Sequence, residues 1–169
     1  THKSVNAFAV SGTNIYAAGS GVCRSTDNGI TWISAKFPKG EAYSLALMGT
    51  TLFAGATDGG VFRSADSGAT WTNVSLSSTQ YVLSLATIGT SLFAGTDLQP
   101  LLGKIGGIYR SADNGKSWSH SGLFNHIIYT LAVSGTTLFA GTNKGVFRST
   151  DNGGNWTELY IERSTYALS

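Results

Sequence analysis

A chain of 169 residues with 41% hydrophobic and 12% charged side chains, 22 glycines and 2 prolines is long enough for one core-bearing domain and too short for two ordinary ones. So few charges and so many glycines favour short strands joined by tight turns over long charged helices, and an all-β fold is expected. A formal charge of +2 excludes strong steering toward nucleic acid or an anionic membrane, no apolar run reaches the roughly 20 residues of a membrane-spanning helix, and the lone Cys23 excludes an intrachain disulfide. Neither nucleic-acid binding nor membrane insertion is predicted. Cys23 lies in a strand-like run and reads as an inert core thiol. The first residues carry no charged-then-apolar signal pattern.

Taken in chain order, the sequence repeats itself four times, over about 5–37, 42–76, 82–121 and 128–160. Trp32, Trp71, Trp118 and Trp156 recur at intervals of 39, 47 and 38 residues. A turn glycine at Gly12, Gly49, Gly89 and Gly135 precedes them by 20, 22, 29 and 21. The first repeat starts from Val5. In the second, period-2 alternation predicts a strand over 43–48, a turn at Gly49-Thr50, a strand over 52–54, a connection through Asp58-Gly59-Gly60 and a third strand over 61–64. A turn through Asp66-Ser67-Gly68 leads to a fourth strand around Thr70, Trp71 and Val74. The third repeat, from Val82, carries extra length between Gly95 and Gly107 that contains Pro100 and reads as a loop. The fourth starts from Ile128. Residues 165–169 resemble residues 42–46 and read as the start of a further blade.

A four-stranded meander of this size cannot bury its own apolar faces, so neighbouring copies must cover one another. Four antiparallel strands per unit fit the blades of a propeller better than the coils of a solenoid. The expected architecture is one β-propeller domain over 1–169, built from four four-stranded antiparallel blades. It is four-bladed, part of a larger ring, or completed by homo-oligomerisation.

Between the third and fourth strands of every repeat stands Ser-x-Asp-x-Gly-x-Thr-Trp. The copies are Ser25, Asp27, Gly29 and Trp32; Ser64, Asp66, Gly68 and Trp71; Ser111, Asp113, Gly115 and Trp118; and Ser149, Asp151, Gly153 and Trp156. Ser117 and Asn155 replace the threonine in the last two. The chemistry suits a tight hairpin: Asp accepts from turn amides, Gly supplies positive φ, the hydroxyl is a further local partner, and Trp closes the turn. The pattern resembles the Asp box, or bacterial neuraminidase repeat, of sialidases, xyloglucan-degrading glycosidases, sortilin-type receptors and photosystem assembly factors. That resemblance implies a propeller whose boxes lie opposite the ligand face and serve folding, so the four aspartates are assigned a structural role. It also implies an extracytoplasmic or secreted protein.

Because strand direction alternates, the loop after each second strand and the link between repeats share one face, and the boxes share the other with the first turns. On the first face the candidate ligand-binding residues are Tyr43, Asp58, Gln80, Asp97, Phe124, His126, Tyr129, Asn143 and Lys144, with Lys39, Glu41, Ser78, Asn125 and the 97–106 insertion beside them. Aromatic, amide and hydroxyl groups of this kind can hold a carbohydrate or a protein ligand. Catalysis has a thin supply of acids. Outside the boxes only Glu41, Asp58, Asp97, Glu158 and Glu162 remain, and Asp58 with Asp97 is the one pair in equivalent loops that merits a test as a glycosidase dyad. Arg24, Arg63, Arg110 and Arg148 recur at one repeat position, a shared structural duty rather than an arginine triad, and the Arg-Ile-Pro motif that precedes the boxes of sialidases is missing. His120 and His126 lack the Cys or carboxylate cluster of a zinc site, and the glycines lack the setting of a phosphate loop. No catalytic residue, metal or cofactor is predicted. The leading reading is a binding module; a glycoside hydrolase or a fragment of one is the alternative, and a purely structural spacer the third.

Overall fold

The computed structural model describes residues 4–38, 40–57, 60–74, 81–97 and 105–160. Among them, sixteen strands form four separate four-stranded antiparallel meanders. The first blade is β1 (Val5–Ser11), β2 (Asn14–Gly19), β3 (Gly21–Ser25) and β4 (Ile33–Ser34). The second is β5 (Ala42–Met48), β6 (Thr51–Ala56), β7 (Gly60–Ser64) and β8 (Thr72–Asn73). The third is β9 (Val82–Ile88), β10 (Ser91–Thr96), β11 (Gly107–Ser111) and β12 (Ser119–His120). The fourth is β13 (Ile128–Ser134), β14 (Thr137–Thr142), β15 (Gly145–Ser149) and β16 (Thr157–Leu159). The first strands β1, β5, β9 and β13 lie side by side in that order, each at the edge of its own sheet, so they line the axis around which the blades turn.

The first hairpin of each blade turns on a glycine in the left-handed region, with φ of 59°, 59°, 56° and 59° at Gly12, Gly49, Gly89 and Gly135. Space is no constraint there, since a Cβ would meet nothing, but the backbone sign is. Strand bounds differ from the sequence reading at the fourth strand. Trp71 precedes β8 instead of sitting in it, because the box turn runs through the tryptophan and its ring is needed elsewhere.

That ring spans the seam between blades. Trp71 Nε1 donates to the Ala35 carbonyl of the preceding blade at 2.7 Å, Trp118 to Val74 at 2.7 Å, and Trp156 to Ser121 at 2.7 Å. The acceptor is each time the third residue after the preceding blade's own tryptophan. Trp32, which has no preceding blade among the described residues, bonds its own Gly29 carbonyl at 3.0 Å and stays 41% exposed. The tryptophan therefore clamps two blades together, and the expectation that it merely closes its hairpin holds for the first blade alone.

Three apolar clusters fill the three seams. Tyr16, Ala18 and Val22 meet Leu45, Leu52 and Ala54; Phe53, Val61 and Ala46 meet Leu85, Leu92 and Val82; Phe93, Ile108 and Ala86 meet Leu131, Leu138 and Ile128. Along each inner strand the alternate residues go to opposite neighbours, which is how one thin sheet serves two seams. At the two later seams a glycine of the second strand admits a β-branched side chain from the next blade. A Cβ on Gly55 would strike Val82, and one on Gly95 would strike Ile128. Cys23 lies on β3 but is only half-buried, on the first blade's outer side, so it is not the enclosed core thiol its sequence context suggested.

Gly95→Ala is expected to destabilise the chain by about 1–3 kcal/mol through overpacking against Ile128. Gly40→Ala, at an open position, should stay within about 0.5 kcal/mol. Equal midpoints for the two variants in urea melts would contradict the knob-in-slot seam.

Candidate functional site

On the box face the four hairpins are near copies. In the second, Ser64 Oγ donates to Asp66 Oδ1 at 2.8 Å and accepts the Gly68 amide at 2.8 Å, while Asp66 Oδ1 accepts the Thr70 amide at 2.8 Å and Oδ2 accepts the Thr70 hydroxyl. The serine oxygen is buried in all four, at Ser25, Ser64, Ser111 and Ser149. Ser117 and Asn155 substitute for the threonine without loss, donating to Asp113 and Asp151 at 2.6 Å. The turn needs two successive left-handed residues, Asn28-Gly29, Ser67-Gly68, Asn114-Gly115 and Asn152-Gly153. The residue before the glycine had escaped the sequence reading; its signal is an asparagine in three of four copies, a side chain that tolerates this conformation. Each carboxylate is engaged by its own hairpin. Hydrogen bonds from residue 31, 70, 117 or 155 pull the four acids from 3.8 to about 2. Three local hydrogen bonds on each carboxylate fit a structural duty.

Two of the repeated arginines have local partners, Arg24 in the next blade and Arg110 within its own. Arg24 Nη1 donates to the Ser67 carbonyl in the next blade's box at 3.0 Å, and Arg110 holds Ser91 Oγ through Nε and Nη2 at 3.1 and 2.9 Å. They do not converge on a common point as an anion triad would.

On the link face, the inner strand of every blade opens with a β-bulge. Pairing skips Asn6, Tyr43, Leu83 and Tyr129, each the second residue of its strand. A bulge leaves one residue unpaired and re-aims its side chain, here at the end of the axis where links and second-strand loops gather. Of the predicted ligand residues, Tyr43 and Tyr129 occupy bulges, and Tyr129 is 56% exposed. Phe124 is 58% exposed, with its ring stacked on His120 at 3.5 Å between centroids, while His120 meets Tyr109 edge-on at 4.7 Å. Burial pushes the His120 imidazole down and the Tyr109 phenol up. Tyr81 and Ile105, 40% and 49% exposed, add apolar surface that the sequence reading did not single out.

Other candidates have local duties. Asn143 accepts the Ile127 amide through Oδ1 at 3.0 Å and donates its own amide to the Ile127 carbonyl at 3.2 Å. Asp97 makes the corresponding bond to the Tyr81 carbonyl at 3.0 Å. His126 Nδ1 lies 2.8 Å from the Phe124 carbonyl and its ring meets Phe147 edge-on at 5.2 Å. Lys144 is exposed and its amide bonds Thr142 Oγ1 at 3.0 Å. Glu41 Oε2 accepts the Tyr43 hydroxyl at 3.1 Å, and the carboxylate raises the phenol's pKa. Lys39, Asp58, Ser78, Gln80, residues 98–104 and residues 165–169 lie outside the described residues, and with them the Asp58–Asp97 pair. Among the described residues no three His, Cys, Asp or Glu side chains are grouped to hold a metal.

Fold and hairpins together define an Asp-box β-propeller. The third hairpin matches the family model of the BNR/Asp-box repeat over residues 109–120, and no curated relative matches the chain. Among solved structures, an ancestral GH74 enzyme is similar at a TM-score of 0.76 and 20% identity, over 94% of this chain and 24% of that one. The extracellular domain of a one-component-system candidate from B. thetaiotaomicron is similar at 0.74 and 18%, over 94% and 22%. YCF48 bound to D1 peptide is similar at 0.65 and 18%, over 94% and 54%. The chain thus spans about a quarter of the first two and about half of the third. At these identities the likeness is one of fold.

The box acids predict a pH limit. Their folded-state pKa lies below the unfolded value, so their stabilisation is complete above about pH 4 and is lost as pH falls toward 2. Melting temperature should be level from pH 7 to pH 4.5 and then fall, and Asp66→Asn should blunt the fall. A melting temperature unchanged between pH 4.5 and pH 2 would show that the carboxylates do not hold the hairpins.

Proposed function

We propose that this protein is a non-catalytic recognition module that takes a glycan or a protein ligand on the link face. The observation carrying the proposal is the pair of bulged tyrosines, Tyr43 and Tyr129, at the axial mouth opposite the boxes. Exposed aromatic rings offer large rigid contact area at small conformational cost. Phe124 and Tyr81 add exposed aromatic surface, and Asn143 and Lys144 are exposed polar groups in the second-strand loop of the fourth blade. The extracellular neighbour from B. thetaiotaomicron supports an extracytoplasmic setting for this chain, and a neighbour bound to a peptide supports the protein arm of the reading.

A glycosidase is the second reading, favoured by the likeness to the GH74 enzymes and by Glu41 at hydrogen-bond distance from Tyr43. Against it, the box carboxylates are engaged by their own hairpins, and Arg24 and Arg110 bond separate partners, not a shared anion site.

Glycan-array and peptide-library screens are expected to return a ligand. Tyr129→Ala should weaken it about tenfold, the equivalent of about 1.4 kcal/mol, with the melting temperature unchanged because the ring is exposed. Turnover of chromogenic glycosides that disappears in Glu41→Gln would establish the hydrolase instead. Empty screens with no turnover would leave the repeats as a spacer.

A further inference from the structure

Three of the four boxes carry Asn-Gly at their two left-handed positions, Asn28-Gly29, Asn114-Gly115 and Asn152-Gly153, and the second carries Ser67-Gly68. An asparagine before glycine is prone to lose its side-chain amide, because no Cβ hinders the glycine nitrogen. We infer that Asn114 is a site of spontaneous deamidation in the folded protein, and that the seam between the third and fourth blades shields Asn152 from the same reaction. These two are compared because each has a preceding blade among the described residues.

In the reaction the Gly115 nitrogen bonds to Asn114 Cγ and the Cγ–Nδ2 bond breaks, Nδ2 leaving as ammonia with the proton that the glycine amide gives up. Water then opens the cyclic imide at one of its two carbonyls, leaving aspartate or an isoaspartate whose backbone is longer by a methylene. Backbone geometry does not separate the two sites. φ is 59° at Asn114 and at Asn152, and 84° at both following glycines. The glycine amide donates to the box serine at 2.8 Å in the third box and 2.9 Å in the fourth. A difference in rate must therefore come from the side-chain amide.

The side chains differ. Asn114 is exposed, whereas Asn152 is half-buried. Asn152 Nδ2, the leaving group, donates to Ser91 Oγ of the preceding blade at 3.2 Å, the same oxygen that Arg110 holds through Nε and Nη2 at 3.1 and 2.9 Å. Asn152 Oδ1 is sealed from solvent and has no hydrogen-bond partner. The negative charge that gathers on that oxygen as the nitrogen adds would be neither hydrated nor paired. At the strand position of Ser91 the second blade has Thr51, and Asn114 remains exposed. The seam thus holds one amide and leaves its equivalent to solvent.

The reaction bears on the fold. Asn114 and Gly115 form the turn that presents Trp118 to the Val74 carbonyl of the second blade at 2.7 Å. A methylene inserted in that turn displaces the indole, so isoaspartate at 114 loosens the contact between the second and third blades. Ser67 holds the same position with φ of 58°, so a serine keeps the turn without the reactive amide.

Peptide mapping of the folded chain during incubation in mildly alkaline buffer, scored by the mass gain of amide-to-acid conversion, tests the assignment. Asn114 is expected to be lost about fivefold faster than Asn152, the factor that one hydrogen bond to be broken first contributes. In the chain unfolded in guanidinium the two rates should agree. Ser91→Ala should raise the Asn152 rate toward that of Asn114 and leave Asn114 unchanged, whereas a general loosening of the fold would raise both. The parent's melting temperature should fall as isoaspartate accumulates, and that of Asn114→Ser should hold. Equal rates in the folded chain, a faster Asn152, a difference that persists in guanidinium, a Ser91→Ala effect on both sites or neither, or an Asn114→Ser variant that ages like the parent would each overturn the inference.

Discussion

The structure rests on packing between sheets, not within them. A blade of four short strands has too little interior of its own, and its largest side chains, Phe53 and Phe93 among them, reach zero exposure only against the following blade. The Trp71, Trp118 and Trp156 bonds to the preceding blade add direction to that contact. An apolar face can slide, whereas an indole N–H aimed at one carbonyl fixes the register of two sheets. The glycine slots at Gly55 and Gly95 do the same by shape, admitting one β-branched residue each. Together they explain why four units with no covalent tie beyond the chain itself stack in one order and one orientation.

The Asp box then has a simple purpose. It delivers the tryptophan. Ser64 and Asp66 absorb the amides of a turn containing two left-handed residues, so that the chain reverses tightly and Trp71 emerges pointing at the previous blade. The carboxylate is on the surface and its hydrogen bonds are local, and the benefit appears on the far side of the seam. Hairpin chemistry and inter-blade packing are therefore one device, and the tolerance of Ser117 and Asn155 at the threonine position follows, since any short donor there preserves the turn.

Much of this was legible in the sequence, because repetition turns weak signals into strong ones. Four copies of Ser-x-Asp-x-Gly fixed the hairpins, and period-2 alternation placed the strands to within a residue or two. Three features escaped for physical reasons. The bulges at Asn6, Tyr43, Leu83 and Tyr129 do not interrupt alternation visibly, since a bulge is a property of pairing between two strands and neither strand alone records it. The reach of Trp71 across a seam depends on which blade lies beside it. The half-exposure of Cys23 depends on the first blade's outer face, a property of the assembly that a strand-like run of residues does not encode. Of the ligand residues, Tyr129 and Phe124 proved exposed, while Asn143 and His126 are held in links and loops by backbone partners.

The two faces of the propeller divide constraint from freedom. On the box side the same residues recur in every blade because each copy performs the same mechanical task. On the link side, positions that are structurally identical carry different chemistry: the four bulges hold an amide, a phenol, an aliphatic chain and a second phenol in turn. Their backbone geometry is set by the strand pairing that every blade shares, while their side chains take different duties: Asn6 Nδ2 donates to the Ala42 carbonyl of the next blade at 3.0 Å, and Tyr129 stands exposed. A surface whose framework is repeated but whose side chains are not is suited to recognising an asymmetric ligand, since each blade contributes a different group at a fixed distance from the axis. The seam residues cannot serve that purpose, because any change there is felt by two blades at once.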